Sequence, residues 1–222
     1  MREPKRISIF TGHFGSGKTE IAINYAFKLK EMGKDVIIID MDIVNPYFRT
    51  KDAEIQLKEK NIQVIYPHYA NTNLESPSLP PEINIAFEDK SKYVIFDVGG
   101  DDDGATPLGR YYHQFSDNEC ETFFVINERR ILTQNINDTL EIMKSIESVS
   151  GLKINLLINN THLKELTTAD ILLQGQLFVE KYSEYTGIEI AYITGKDEFL
   201  KQLPEKYKCL NFPLNLYINL KF

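Results

Sequence analysis

Eight consecutive residues constrain this chain more than any other feature. Gly12-His13-Phe14-Gly15-Ser16-Gly17-Lys18-Thr19 fits the pattern G-x-x-x-x-G-K-[ST]. Residues 7–10 before it form a short β-branched run, and residues 20–32 after it place Ile21, Tyr25, Leu29 and Met32 at helical spacing. The order is strand, loop, helix, which is the context the pattern requires. Small residues at 15 to 17 let backbone N–H groups converge on phosphate oxygens, and a helix N-terminus adds a favourable dipole. In that setting Lys18 neutralises β- and γ-phosphate charge and the Thr19 hydroxyl ligates Mg²⁺. The bland alternative is a glycine-rich turn that ends by chance in Lys-Thr, and the flanking elements argue against it.

Gly33 follows the last periodic residue of the first helix as a terminator, and residues 36–39 (Val-Ile-Ile-Ile) run apolar without alternation. A strand buried on both faces has that character, so a parallel sheet is predicted. Further apolar runs fall at 64–65, 93–96, 122–126, 154–158 and 188–193, and helix-compatible stretches at 51–60, 106–115, 133–148 and 168–185. The alternation predicts a three-layer, doubly wound α/β fold with a mainly parallel sheet, built as one domain over residues 1–222. Residues 67–81, with Pro67, Pro77, Pro80 and Pro81, read as a surface excursion. At the C-terminus Leu214, Leu216, Ile218, Leu220 and Phe222 alternate with Asn215, Tyr217, Asn219 and Lys221, which predicts a terminal strand with one wetter face.

Composition excludes several function classes. With 42% hydrophobic and 26% charged residues the chain has the makings of a folded core. Its net charge of −7 has the wrong sign for holding a nucleic-acid backbone, so no nucleic-acid partner is expected. Cys120 and Cys209 lie too far apart for a zinc or redox motif. No run of about 18 apolar residues and no signal-peptide core is present, which predicts a cytoplasmic protein that does not span a membrane.

Residues 36–39 deliver Asp40 and Asp42 to the carboxyl end of a strand, the edge where open α/β sheets bind ligands. The run 93–96 likewise ends in Asp97, followed by Val98-Gly99-Gly100, a Walker B pattern. Mg²⁺ keeps several waters, so Asp40 and Asp97 are candidates for holding those waters around it. Asp42, two residues beyond Asp40 and on the same side of an extended strand, is the candidate for orienting the water that attacks the γ-phosphate. Each Asp could instead be a turn or cap residue. Asp101-Asp102-Asp103 reads as a solvated turn, because three adjacent carboxylates repel one another and a triphosphate. Residues 154–158 run into Asn159-Asn160-Thr161-His162, where Asn159 could read a base or merely form a turn. Guanine selection requires an acid three residues beyond such an Asn. His162 stands there, which favours adenine and makes ATP, with Mg²⁺, the expected cofactor. Arg129-Arg130 and Gly109-Arg110-Tyr111-Tyr112 are placed on solvated helical faces.

With these residues in place, the chain resembles the MinD/ParA/Mrp/CooC group of P-loop ATPases, the CobQ/CobB/MinD/ParA nucleotide-binding domain family. The carriers are Gly12 to Thr19, the segment ending Asp40-Met41-Asp42, the strand ending in Asp97 and the strand ending in Asn159. The resemblance implies a P-loop NTPase fold of the MinD/ParA type and a nucleotide-switched homodimer in which ATP hydrolysis remodels or releases a client. It implies phosphate contacts from Gly12, His13, Phe14, Gly15, Ser16, Gly17, Lys18 and Thr19. The chain departs from the group at His13, where most members carry a signature Lys. At neutral pH an unperturbed imidazole is mostly uncharged, which weakens any reach to a nucleotide across the dimer. No Cys follows the Asp97 region and no CxC pair exists, so neither an iron–sulfur cluster nor metal delivery is expected. The period of the C-terminus is not that of a membrane-binding amphipathic helix. Tyr47, Phe48 and Arg49 fall where the group meets its clients, though paired aromatics more often belong to a core.

The expected function is thus a Mg²⁺-dependent ATP-binding protein with slow ATPase activity that switches a partner. One alternative is a ligase or kinase acting on a small carboxylate, with an acceptor pocket in the 67–81 excursion. Another is a nucleotide-binding module without turnover.

Overall fold

A computed structural model describes residues 2–42, 53–66, 81–115 and 119–218. The β-branched runs become strands β1 (Ile7–Thr11), β2 (Asp35–Asp40), β3 (Gln63–Ile65), β4 (Lys92–Asp97), β5 (Cys120–Ile126), β6 (Leu156–Asn159), β7 (Glu189–Gly195) and β8 (Asn211–Pro213). The intervening helices are α1 (Lys18–Glu31), α2 (Glu54–Glu59), α3 (Ile85–Glu88), α4 (Asp101–Ala105), α5 (Ile136–Ser150), α6 (Ala169–Thr186) and α7 (Asp197–Leu200). The strands form one sheet in the order β3-β2-β4-β1-β5-β6-β7-β8, and every pairing is parallel.

Alternation along the strands sorts side chains into two cores. Ile37 and Ile39 of β2 join Ile7 and Ile9 of β1 on the face covered by α5 and α6, with Met143, Ile146, Val179 and Tyr182. Val36 and Ile38 join Phe10 of β1 on the face covered by α1 and α2, with Ile21, Tyr25, Leu29 and Leu57. Helices on both faces of a parallel sheet give the doubly wound, three-layer α/β fold, and both faces of β2 are apolar because both are buried. β1 is the strand at which the winding reverses, from β4, β2 and β3 on one side to β5, β6, β7 and β8 on the other. The crevice for a ligand opens at the carboxyl ends of strands beside such a reversal.

Three sequence expectations change. Residues 106–115 form a 3₁₀ helix, Thr106–Gln114, rather than an α-helix. Asp101-Asp102-Asp103 opens α4 rather than a turn. Residues 214–218 form no strand, because a side-chain clamp on α1 takes up their polar backbone. Asn24 exchanges two hydrogen bonds with the Asn215 backbone, both 2.9 Å, and the Glu20 carboxylate accepts from the N–H of Tyr217 (2.7 Å) and Ile218 (3.2 Å). The predicted faces do not hold there: Leu214 is buried, but Leu216 is exposed and Tyr217, placed on the wetter face, packs against Phe27. The 67–80 part of the excursion, residues 43–52 with Tyr47, Phe48 and Arg49, and residues 219–222 lie outside the described residues.

Candidate functional site

The loop after β1 is shaped by its glycines. Gly12 has φ 137°, and a Cβ there would lie 2.4 Å from the Val125 carbonyl oxygen of β5. Gly17 starts α1 with φ 92° and ψ 21°, and no side chain caps that helix. A Cβ on Gly17 would lie 2.2 Å from Asn160 Nδ2. Glycine is required at both places by the backbone conformation and by the close neighbours. The first-turn amides of α1, lacking a side-chain cap, are the donors such a helix offers to an anion.

Lys18 is 3% exposed, and its ammonium donates to the carbonyls of Gly12 (2.8 Å) and His13 (3.1 Å), so the charge is held within the loop. Ser16 N–H donates to the His13 carbonyl (3.1 Å), closing the turn. The Ser16 hydroxyl, by contrast, is buried with no hydrogen-bond partner. An orphaned buried hydroxyl costs about 1–3 kcal/mol. A phosphate oxygen in the loop would satisfy it, so the loop fits a phosphate-bearing ligand. Thr19 is buried at the start of α1, and Phe14 is half exposed at the loop tip, its backbone packed against Gly100 beyond β4.

The three aspartates collect at the same edge. Asp40 and Asp97 are lateral partners at the ends of β2 and β4, and Asp97 pairs with Phe10 of β1. All three carboxylates are buried. β2 ends at Asp40, so strand alternation does not place Asp42. Its N–H donates to Asp40 Oδ1 (2.9 Å), and its carboxylate packs on Gly99, where a Cβ would lie 3.3 Å from Oδ1. Among the described residues no three His, Cys, Asp or Glu side chains form a protein-only metal cage. Magnesium bound with a nucleotide needs one or two carboxylates, because phosphates and waters supply the other oxygens.

At β6 the structure separates two adjacent amides. Asn159 is fully buried, and its amide donates to the Leu172 carbonyl and to Gln176 Oε1 (both 3.2 Å) while accepting from Thr161 N–H (3.0 Å). Its polar atoms bond α6 and the backbone just after β6. The amide that reaches the loop is its neighbour. Asn160 Nδ2 donates to the Ser16 carbonyl (2.7 Å), and Asn160 Oδ1 accepts from Thr194 Oγ1 (2.7 Å). A one-residue shift exchanges faces of a strand, and sequence spacing carried no signal to choose between two consecutive asparagines.

The arginines also differ from expectation. Arg129 and Arg130 follow β5 in a loop, not on a helical face. Arg129 pairs with Glu128 (3.2 Å) and bonds Gln174 of α6. Arg130 turns to the phosphate loop, its Nε donating to the Gly15 carbonyl (3.0 Å). His162 lies between Arg130 and Gly17. Burial, then the charges of Arg130 and Lys164, push its imidazole down to about 4, so it is neutral at physiological pH. Arg129, Arg130, His162, Leu163, Lys164 and Leu166 line a cavity of about 180 Å³ beside the loop.

Solved structures share this architecture. The FtsY cell division protein of Thermotoga maritima superposes with a TM-score of 0.55 at 18% identity, over 90% of this chain and 64% of its own. The 54 kDa signal recognition particle protein of Aeropyrum pernix gives 0.55 at 18% identity, over 86% and 41%. FlhF, solved with GTP and Mg²⁺, gives 0.52 at 20% identity, over 85% and 64%. The chain spans less than two thirds of the length of these structures. No curated protein matches it in sequence. The sequence model of the CobQ/CobB/MinD/ParA nucleotide binding domain does match, over residues 7–206. The loop between β1 and α1, the aspartates at the ends of β2 and β4, and that match over most of the chain together establish that the protein belongs to this family of P-loop NTPases.

Proposed function

We propose that the chain binds Mg²⁺·ATP in the Gly12–Thr19 loop, hydrolyses it slowly, and uses the change to switch a protein client, working as a homodimer. One observation carries the reading: a buried Lys18 ammonium and an orphaned Ser16 hydroxyl occupy the same glycine-shaped loop at the uncapped start of α1. Those groups are matched to a polyanion. Lys18 leaves the Gly12 and His13 carbonyls to bond β- and γ-phosphate oxygens, and Gly12, His13, Phe14, Gly15, Ser16 and Gly17 supply backbone donors around them. Thr19 ligates magnesium, and Asp40 and Asp97 accept from its waters. Magnesium supplies neutralisation of the charge on the phosphates. Asp42, positioned by its own N–H on Asp40, orients the attacking water.

Adenine is favoured over guanine in either register. The residue three beyond Asn159 is His162 and the residue three beyond Asn160 is Leu163, and neither offers the carboxylate that would accept from the guanine N–H groups. FlhF was solved with GTP, so the base is the point to test. Thermal unfolding with ATP and GTP, each with and without Mg²⁺, decides it. ATP with Mg²⁺ at 100 times its Kd stabilises the fold by about 2.7 kcal/mol. GTP stabilises less, and Lys18→Ala abolishes the effect of both. Equal stabilisation by GTP would remove the adenine assignment, and no stabilisation by either would remove the nucleotide.

A further inference from the structure

Arg130 is not part of the family pattern read in the sequence, yet it makes the closest side-chain approach to Gly15. Besides the 3.0 Å bond from Nε to the Gly15 carbonyl, a Cβ on Gly15 would lie 3.3 Å from Nε, 3.4 Å from Cζ and 3.6 Å from Nη2. The guanidinium therefore sits along the loop backbone, and a glycine with φ 74° is what admits it there. The same group lines the cavity shared with His162, Leu163 and Leu166. A cavity of about 150 Å³ accommodates a benzene ring, so the 180 Å³ here has room for a planar ring. The cavity meets the loop at one further point, where His162 Nε2 lies 3.7 Å from the Cβ position of Gly17. His162 Nδ1 accepts from the Lys164 N–H (3.3 Å), which leaves Nε2 as the protonated nitrogen of a neutral ring. An uncharged donor, two leucines and the planar Arg130 cation, with Arg129 and Lys164 completing the lining, suit a neutral heteroaromatic ring attached to a polyanion. Arg129 is excluded from this role by its bonds to Glu128 and Gln174.

We propose that Arg130 is a nucleotide-positioning residue, clamping the phosphate loop through the Gly15 carbonyl while its planar face stacks against the base in the adjoining cavity. The assignment rests on the nucleotide reading above and adds to it the residue that aligns base with phosphates. Arg suits both tasks, because its fork donates in one direction while its face remains open for stacking. Lys can replace the donor but not the plane.

Calorimetric titration of the full chain with two probes separates these tasks. Mg²⁺·ATP carries the base, and Mg²⁺·tripolyphosphate carries only the phosphates. For Arg130→Lys, ATP affinity falls about tenfold while tripolyphosphate affinity stays within about threefold. For Arg130→Ala both fall, and ATP falls further. A purely structural role would move both probes together, so an equal loss for ATP and tripolyphosphate in the two variants would overturn the proposal. So would unchanged ATP affinity in both variants. Failure of the unsubstituted chain to bind either probe would instead overturn the nucleotide reading itself, and the Arg130 assignment with it.

Discussion

The two edges of the sheet bury polar groups in different settings. At the amino edge, Glu121 near the start of β5 is 1% exposed, and its carboxylate accepts from Ser8 Oγ (2.9 Å) and Tyr25 O–H (2.8 Å). The cluster draws its partners from β1, β5 and α1. At the carboxyl edge, Ser16 Oγ is equally buried without a partner, in a loop that the Arg130 and Asn160 side chains approach at Gly15 and Gly17. Both edges keep an orphaned buried oxygen, Glu121 Oε2 at the amino end and Ser16 Oγ at the carboxyl end. Only the second lies in a glycine-shaped loop at an uncapped helix start, where a phosphate oxygen would fit it. The surroundings of the orphaned atom therefore distinguish the edges, and neither burial nor the missing partner does.

The comparison can be broken first at the amino edge. Glu121→Ala leaves Ser8 and Tyr25 hydroxyls without their acceptor and opens a cavity, so urea unfolding shows a loss of about 3 kcal/mol. ATP affinity stays within twofold by titration. A large affinity loss with intact folding would mean the edges are coupled. Asn160→Ala, at the carboxyl edge, gives a smaller stability loss of about 2 kcal/mol, because it removes two hydrogen bonds, one to Thr194 and one that holds the loop at Ser16. It weakens ATP binding roughly tenfold, an effect Glu121→Ala lacks.

The finest test is the sign of the pH dependence. Burial raises the Glu121 carboxyl above its ordinary value of 4.5, chiefly by desolvation and against the Tyr25 and Ser8 hydrogen bonds. From 4.5 upward the unfolded chain loses a proton that the folded chain keeps, so this group costs stability as pH rises through its folded value. His162 has the opposite sign. Its value falls from 6.5 to about 4, so between those limits the unfolded chain gains a proton that the folded chain refuses, and stability drops as pH falls. Guanidinium unfolding from pH 4 to 7 therefore shows opposite changes of slope. Glu121→Gln removes the decline toward higher pH, and His162→Gln removes the decline toward lower pH. Slopes of one sign in both variants would refute desolvation as the cause at the two residues.

Much of the carboxyl edge was legible in the sequence. Apolar runs ending in Asp40 and Asp97, and a loop pattern between strand and helix, are local signals that survive folding because parallel strands present the same end to the same crevice. Asp42 was legible as a candidate, but its place is set by a backbone bond to Asp40 and not by strand alternation. Asn159 and Asn160 could not be told apart, because register along β6 depends on packing against α6. Arg130 was misplaced because its contact with Gly15 spans 115 positions and leaves no spacing to read. The C-terminal alternation was taken for a strand, but side-chain bonds from Asn24 and Glu20 to its backbone hold the segment, leaving Leu216 exposed and Tyr217 packed on Phe27, contrary to the sequence pattern.

By itself the sequence determined a parallel α/β sheet and a loop of the P-loop pattern between strand and helix, because both follow from local conformational limits: β-branched runs, glycines at positive φ, and a lysine at a helix start. Only the tertiary structure decided that Asn160 and Arg130 face the loop, that His162 is neutral there, and that Glu20 and Asn24 hold the C-terminal segment. Those outcomes depend on which side chains distant elements bring within about 3 Å, and on the desolvation that follows.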